Sequence, residues 1–301
     1  MPTRPILITG ASGQLGHALA TRAPAAGLPA RAVGRPGLDF DAPETIAAAL
    51  AAADPALVVN AAAWTAVDAA ETSADAAFRA NRDGPAALAA LCRAHGIPLI
   101  HVSTDYVFDG SKGAPYTEAD PIAPLGVYGQ SKAAGEEAVL ASGADAIILR
   151  TAWVFSATGK NFARTMIAAA HRLPTLRVVA DQRGAPTAAE DLADAILAIA
   201  ARIIAEGWQP GFAGIFHATG AGDTTWHGFA TEILAIAALH GTPHPEIIPI
   251  ATADWPTPAR RPADSRLDAT KLKQTFGLAL PHWQNATARI VPAILAQDET
   301  T

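Results

Sequence analysis

The chain of 301 residues contains one cysteine, Cys92, and few charged residues, which make up 17% of the sequence. A single cysteine cannot form an internal disulfide bond, and the sequence around it lacks the spacing of a metal site. These features are typical of a reducing compartment, so we expect a cytoplasmic protein. Because soluble domains usually carry about a quarter charged residues, the low charged fraction predicts a large buried interior.

The sequence also lacks long apolar runs and clusters of basic residues. No segment reaches the ~18 consecutive apolar residues that a membrane span needs, and the apolar run at residues 6–8 is too short for a signal peptide. The net charge is −6, and nucleic-acid binding needs clustered Lys and Arg. We therefore expect no membrane and no nucleic acid as partners. The nine histidines form no H-E-x-x-H or Cys/His cluster, so we predict no metal site.

Short apolar runs alternate with alanine-rich helical patterns through the first half of the chain. Runs that are apolar on both faces indicate parallel strands covered by helices on both sides. The predicted strands are residues 5–9, 30–33, 57–60, 98–103 and 146–151. The predicted helices between them are residues 14–26, 43–53, 73–95 and 127–141. The fold class is therefore α/β, with a doubly wound Rossmann-type parallel sheet.

The second half has a less regular pattern, and its prolines concentrate between Pro243 and Pro262. The predicted helices there are residues 161–172, 188–205, 226–240 and 283–295, and the short predicted strands are 176–179, 215–218 and 247–250. We predict a dinucleotide-binding domain over residues 1–151. Residues 152–301 would form a smaller, mainly substrate-binding lobe, with some segments returning to the sheet.

A glycine-rich turn joins the first predicted strand to the first predicted helix, and its residues are Gly10, Ala11, Ser12, Gly13, Gln14, Leu15 and Gly16. Glycines permit a tight turn, so that backbone amides and the positive end of the helix dipole can approach a pyrophosphate. Alone, the motif also fits an ordinary turn. Between the first strand and first helix of an alternating pattern, it predicts a dinucleotide site. Its spacing resembles that of short-chain dehydrogenases/reductases.

Further cofactor candidates follow the second and third predicted strands. Arg35 stands where NAD-binding proteins carry an acidic residue for the ribose 2′-hydroxyl, and a guanidinium there suits a 2′-phosphate. This favours NADPH over NADH, although a solvated loop arginine fits the sequence equally well. Asp39 and Phe40 come next, where a carboxylate could hold the adenine amino group. The small residues Ala61, Ala62 and Ala63 leave room for a cofactor, or pack in the core.

Tyr128 and Lys132 are four residues apart in a predicted helix, which puts them on one face. A free phenol has a pKa of about 10, too high for acid–base chemistry at neutral pH. A cation ~4 Å away contributes up to about 4 kcal/mol at an effective dielectric of 20, which lowers a pKa by up to about 3. We therefore expect Tyr128 to be an acidic phenol and a general acid. Thr104, at the end of the fourth predicted strand, would orient a substrate carbonyl against it.

A Tyr-x-x-x-Lys pair is also common on helix surfaces, but its place after the strand-end Ser103-Thr104 favours catalysis. Longer segments resemble one family, the dTDP-4-dehydrorhamnose reductases, over nearly the whole chain. These segments are NAAAWTAVDAAE (60–71), STDYVFDG (103–110), YGQSK (128–132), RTAWVFSATGKNF (150–162), DQRGAPT (181–187) and RRPADSRLDATKL (260–272). The departures are Trp64, where the family carries tyrosine or histidine, and Ala152, where serine is common.

The resemblance implies an NADPH- or NADH-dependent reduction of a C4 ketone on a nucleotide sugar by a homodimer. It implies Thr104, Tyr128 and Lys132 as catalytic residues. The cofactor contacts that it implies are Gly13, Gln14, Leu15, Asp39, Phe40, Ala62, Ala63 and Thr65. The substrate contacts that it implies are Thr104, Asp105, Tyr128 and Trp153. Some members use Mg²⁺ at a subunit contact, but we find no carboxylate cluster in this sequence that specifies one.

Four residues outside the catalytic motifs are further candidates. Arg260, Arg261 and Arg266 could bind the diphosphate of the substrate, because two phosphates require cations. Each would serve equally well as a surface charge. Asn81 would relay protons, cap a helix or face solvent.

Two other classes of function remain open from the sequence. Another nucleotide-sugar 4-ketoreductase, or an epimerase of the same superfamily, would share most of these motifs. A dehydratase fits less well, because Asp105 is followed by Tyr106, where dehydratases carry glutamate. A non-catalytic NADP-binding regulatory subunit, such as that of methionine adenosyltransferase, would not need the intact set of Thr104, Tyr128 and Lys132.

Overall fold

The structure, a computed structural model, describes residues 4–298. The strands are β1 (Ile6–Thr9), β2 (Ala30–Val33), β3 (Leu57–Asn60), β4 (Leu99–Thr104), β5 (Ala146–Thr151), β6 (Val154–Phe155), β7 (Thr175–Val179), β8 (Arg183–Gly184), β9 (Thr187–Ala188), β10 (Gly214–His217), β11 (Thr224–Thr225) and β12 (Glu246–Ile250). The helices are α1 (Gln14–Arg22), α2 (Pro43–Ala53), α3 (Val67–Ala70), α4 (Ala74–Phe78), α5 (Gly84–His95), α6 (Val127–Ala141), α7 (Phe162–Ala170), α8 (Ala189–Glu206), α9 (Trp226–Ala238), α10 (Thr270–Phe276) and α11 (Trp283–Asp298).

Six strands form one parallel sheet in the order β10-β5-β4-β3-β1-β2. The chain runs outward from β1 to β2 and then returns to place β3 on the other side of β1. Ligands of such sheets bind beyond the carboxyl ends of the strands, at this reversal. The predicted doubly wound α/β fold is confirmed. Strand β10 comes from the second half of the chain and extends the sheet beside β5.

Alternate strand residues face two layers of helices, because side chains of a strand point in turn to opposite faces. Ile8 of β1 packs with Leu19 of α1 and Ile196 of α8. Leu7 points the other way and packs with Leu88 of α5. Since helices cover both faces, β1, β3, β4 and β5 are almost fully buried, which explains their largely apolar sequences. The edge strand β2 is partly exposed.

Other segments of the second half form a smaller lobe, whose core lies between α7, α9 and α11 and includes Phe155, Phe229 and Trp283. Helices α8 and α10 pack against the sheet instead. Asn161 and Thr225 begin α7 and α9, and each side chain accepts a hydrogen bond of 3.1 Å from the backbone amide three residues later. Such caps satisfy amide groups that the first helical turn leaves unpaired. Within residues 4–298, no helix is both long enough and apolar enough for a membrane span.

The predicted helix at residues 73–95 is interrupted by a π-helical turn, Arg79–Asp83, between α4 and α5. The turn brings the Asn81 carbonyl against Gly135 of α6, where a Cβ atom would lie only 2.0 Å from that oxygen. Apolar periodicity does not reveal one extra residue in a helical turn, since the pattern on both sides is preserved. The short helices α3 and α10 were also missed, because each is too brief to show a period.

Candidate active site

A cleft of about 410 Å³ opens at the carboxyl ends of the sheet strands. Many of the residues that the sequence predicted for cofactor, substrate and catalysis line it together. They are Gly13, Gln14, Leu15, Ala61, Ala63, Thr65, Thr104, Asp105, Tyr128, Lys132 and Trp153. The same wall contains Lys160 and Trp226, which the sequence analysis did not single out.

The glycine-rich turn fits tightly between β1 and α1. Gly10 has a φ of +72°, and a Cβ atom there would lie 2.8 Å from the Ala62 nitrogen. At Gly16 a Cβ atom would lie 2.1 Å from the Gly10 carbonyl oxygen. These two glycines therefore allow the turn to close, whereas Gly13 and Gln14 face the cleft. No side chain of the described residues caps α1 at Gly13, so its first amides are available to an anion.

A row of buried polar side chains holds the strand ends beneath the cleft. The Thr9 hydroxyl donates to Asn60 Oδ1 at 2.6 Å, and the Asn60 amide lies 2.9 Å from His101 Nδ1. The Ala62 amide donates to both Thr9 and Asn60, at 3.2 Å each. Burial, with Lys132 nearby, lowers the pKa of His101 well below its usual value. The uncharged imidazole thus helps to hold the loop of alanines at residues 61–63 in place. In the sequence, this row is visible only as polar residues near the ends of three apolar strands.

Tyr128 lies in the first turn of α6 and faces the end of β4. Its phenol is hydrogen-bonded with Thr104, but burial outweighs that bond and raises the pKa of Tyr128 to about 12. The ring of Tyr106 packs edge-on against it, with centroids 5.5 Å apart. The Thr104 hydroxyl donates to Asp105 at 3.0 Å. Burial raises the pKa of Asp105 to about 6, although hydrogen bonds with Ser265 and Thr104 oppose the change.

The Lys132 side chain is buried and donates to the Val102 carbonyl at 2.6 Å. Burial lowers the pKa of Lys132 to about 8, and the nearby carboxylate of Glu136 partly offsets this effect. The four-residue spacing of Tyr128 and Lys132 predicts an ammonium that makes the phenol of Tyr128 acidic. That expectation is wrong for the two groups as the protein positions them. Burial raises the pKa of the phenol, and the ammonium donates its hydrogen bond to the Val102 carbonyl of β4.

Two stacked indoles form the far wall of the cleft. Trp153 and Trp226 have ring centroids 3.5 Å apart and an interplanar angle of 6°. Trp153 adopts a φ of 46°, which non-glycine residues seldom do. Gly184 makes room for it, because a Cβ atom there would lie 2.4 Å from the indole. Trp226 was missed because it is about seventy residues away in sequence and meets Trp153 only in the folded lobe.

A family profile described as the RmlD substrate binding domain matches residues 4–295. The chain belongs to this family. It is 42% identical to a dTDP-4-dehydrorhamnose reductase of Sinorhizobium fredii, over 97% of this chain and 98% of that one. It is 43% identical to a probable dTDP-4,6-dihydroxy-2-methyloxan-3-one 4-ketoreductase of Streptomyces antibioticus, over 97% and 96% of the two chains.

A solved structure of dTDP-4-dehydrorhamnose reductase from Bacillus anthracis, in complex with NADP, is also similar. The TM-score is 0.87 and the identity 30%, with 96% of this chain and 98% of that chain covered. The resemblance to dTDP-4-dehydrorhamnose reductases that the motifs indicated is therefore confirmed. The chain matches these relatives over almost their full length.

In this RmlD-family chain, the three predicted residues after β2 do not line the cleft. Arg35 is exposed beyond the end of the strand. The Asp39 amide donates to the Thr45 hydroxyl at 2.9 Å. Phe40 packs on Gly84 of α5, where a Cβ atom would lie 2.1 Å from the ring. These residues follow the strand that neighbours the glycine-rich turn, at the edge of the sheet.

Asn81 is buried and joins two parts of the site. Its side chain accepts from the Trp64 amide at 2.8 Å and donates to the Trp64 carbonyl at 3.0 Å. It also donates to the Ser131 hydroxyl at 3.0 Å. Asn81 therefore tethers the loop after β3 to α6, rather than facing solvent or capping a helix.

The three candidate arginines differ in position. Arg261 forms a two-point ion pair with Asp68, at 2.9 and 3.1 Å, and lines a second cleft of about 330 Å³. This second cleft shares Trp226 with the first. Arg266 pairs with Asp264 at 2.6 Å, and Arg260 is exposed. Neither Arg260 nor Arg266 lines either cleft. Within residues 4–298, no three His, Cys, Asp or Glu side chains are grouped to hold a metal ion.

Proposed function

We propose that the chain reduces the C4 ketone of dTDP-4-dehydro-β-L-rhamnose to dTDP-L-rhamnose, using NADPH or NADH. The observation that carries this proposal is one cleft in which Thr104, Tyr128 and Lys132 face the glycine-rich turn. Relatives more than 40% identical over nearly the whole chain are named for this reaction. The product is a precursor of cell-surface polysaccharide, and we propose that it forms in the cytoplasm on a homodimer.

The first 151 residues would bind the cofactor and the rest mainly the substrate. The free amides at the start of α1 suit the pyrophosphate, and Ala61, Ala63 and Thr65 leave space for the nicotinamide half. Asp39 and Phe40 would contact the adenosine half. The related structure from Bacillus anthracis holds NADP, which supports NADPH for this chain.

The exposed Arg35 would bind the 2′-phosphate of NADPH. We expect Arg35→Ala to raise the KM for NADPH roughly tenfold, because one charge-assisted hydrogen bond is lost. The KM for NADH should not change. Arg93→Ala, at the exposed C-terminal end of α5, is a matched control. Steady-state kinetics with both cofactors provides the measurement. An equal change for the two cofactors would exclude this role for Arg35.

The cofactor supplies a hydride to C4, and the protein supplies the proton. A phenol with a pKa near 12 stays protonated at neutral pH, so Tyr128 can donate a proton to the carbonyl oxygen as the hydride arrives. Thr104, hydrogen-bonded with the phenol, would orient that oxygen. The buried ammonium of Lys132 would stabilise the phenolate that remains and hold the cofactor ribose.

This mechanism predicts a loss of activity in mildly alkaline solution. The pKa of Lys132 is about 8, so its ammonium is present below that pH and is lost above it. We expect kcat/KM for ketone reduction to fall as the pH rises through about 8. The pH profile should be measured at saturating cofactor. A profile that stays flat to pH 10 would contradict the assigned role of the ammonium.

The stacked indoles favour a sugar substrate, since an aromatic face packs well against the apolar face of a pyranose. We propose that the sugar lies between Tyr128 and Trp153, with Asp105 binding a hydroxyl. The diphosphate and nucleoside would extend past Trp226 into the second cleft. Arg177 and Arg261 line that cleft. Arg177 would provide positive charge for the diphosphate, whereas Arg261 would have to share its charge with Asp68. Because they do not line the second cleft, Arg260 and Arg266 are weaker candidates for the diphosphate.

The deciding experiment is an assay of NADPH oxidation with dTDP-4-dehydro-6-deoxy-L-mannose, followed by determination of the product configuration at C4. The proposal requires one cofactor oxidised per sugar reduced. Another dTDP-sugar 4-ketoreductase is the second candidate, because the Streptomyces antibioticus relative carries such a name at 43% identity. Turnover without external cofactor would indicate an epimerase, and cofactor binding without turnover would indicate a regulatory subunit.

A further inference from the structure

A buried carboxylate, Glu136, lies one helical turn after Lys132 and on the same face of α6. It is only 3% exposed. Arg150 of β5 donates to both of its oxygens, from Nε at 2.9 Å and from Nη2 at 2.6 Å. The Ser103 hydroxyl of β4 donates to Oε1 at 2.5 Å. One carboxylate thus joins α6 to the two strands that end beside the cleft.

Stability alone does not account for a buried ion pair at this position. Removing two charges from water costs several kcal/mol per ion, and apolar pairs of similar volume are often as stable. Glu136 and Arg150 are both almost fully buried, with exposures of 3% and 2%. The buried ion pair is therefore better explained by its effect on the charge of a neighbouring side chain. The nearest such group on the same helix face is Lys132.

The titratable groups around Lys132 come from three elements. On α6 they are Tyr128, which is protonated at neutral pH, and Glu136, which is a carboxylate. On β4, His101 is uncharged, because burial keeps its pKa far below neutrality. On β5, Arg150 is bound to Glu136. Burial favours the neutral amine of Lys132, and attraction to Glu136 opposes that tendency.

We propose that Glu136 is a positioning residue, which keeps Lys132 charged and fixes α6 against the ends of β4 and β5. This inference rests on the proposed reductase function, because it concerns the same ammonium. Glu136 acts on the reaction through Lys132, because it does not line the active-site cleft itself. Arg150 moderates the effect, since its guanidinium offsets part of the carboxylate charge.

The test compares Glu136→Gln with Glu137→Gln, the same change at the next position on α6, where the side chain is exposed. Glutamine keeps the shape of the side chain but removes its charge. For Glu136→Gln we expect the alkaline limb of the kcat/KM profile to move at least one pH unit lower. The kcat/KM profile of Glu137→Gln should superimpose on that of the wild type. A lower melting temperature for Glu136→Gln with an unmoved limb would show a merely structural role and overturn the proposal.

Arg150→Gln provides a shift of opposite sign. Without the guanidinium, the carboxylate acts on Lys132 undiminished, so the alkaline limb should move to higher pH. This variant also tests the proposal if Glu136→Gln does not fold. An alkaline limb that stays in place or moves to lower pH in Arg150→Gln would overturn the proposal. The pH dependence of NADPH affinity, followed by nucleotide fluorescence, reports the charge of Lys132 without a substrate. A wild type that binds NADPH but does not reduce the sugar would refute only the proposed function.

Discussion

Tyr128→Phe lowers turnover at least ~100-fold while NADPH still binds; this is the expected result if the phenol is the general acid. The substitution removes one oxygen and leaves the ring in its buried contact with Tyr106. The hydride can still arrive, but the developing alkoxide has no positioned proton donor. Turnover should be measured at saturating cofactor and sugar, and NADPH affinity by fluorescence titration.

Tyr116→Phe is the matched control for this experiment. Tyr116 is also buried, and its hydroxyl donates to Asp109 at 2.9 Å, away from the cleft. The hydroxyl also accepts a hydrogen bond of 3.2 Å from the Lys112 amide. Losing both bonds should cost about 1–3 kcal/mol of stability and leave turnover unchanged. If both variants lost activity equally, the effect would reflect damage to the fold. If Tyr128→Phe kept full turnover, another group would have to supply the proton.

Gly16→Ala should weaken cofactor binding by up to roughly 100-fold. A Cβ atom at Gly16 would lie 2.1 Å from the Gly10 carbonyl oxygen and 2.7 Å from its carbon. Both obstacles are backbone, so the turn must open to relieve the clash. Overpacking of this kind costs typically about 1–3 kcal/mol, and the upper end corresponds to a loss of roughly 100-fold in affinity. Calorimetric titration with NADPH, together with thermal unfolding, measures both effects.

Gly211→Ala serves as its control. No heavy atom lies within 4 Å of a Cβ atom built at Gly211, so the added methyl group meets open space. We expect unchanged cofactor affinity and an unchanged melting temperature. Wild-type affinity in Gly16→Ala would mean that the turn can widen without moving the amides that meet the pyrophosphate.

The sequence predicted the sheet well because a strand that is buried on both faces has a continuous run of apolar residues. The predicted strand at residues 57–60 coincides with β3, and that at 146–151 coincides with β5. The spacing of Tyr128 and Lys132 likewise predicted a shared helix face, and both line the cleft. Short-range patterns of this kind depend only on the repeat of one element, so they are visible before the chain is folded.

The environment of those side chains could not be predicted in the same way. The pKa of Tyr128 depends on how completely the folded chain buries the phenol, and burial reversed the expected direction. The bond from Lys132 to the Val102 carbonyl joins residues thirty positions apart. Stacking of Trp226 on Trp153 depends on how the second lobe folds back. Sequence spacing gives no distance between different elements.

By itself, the sequence determined the alternating α/β fold, the glycine-rich turn, the family and the shared helix face of Tyr128 and Lys132. Each of these is carried by neighbours in the chain, whose relative positions follow from helix and strand geometry. The tertiary structure decided which charges are buried, what holds Lys132 and Glu136, and which arginine reaches a cleft. Those properties depend on desolvation and on contacts between distant segments, which exist only after the elements pack together.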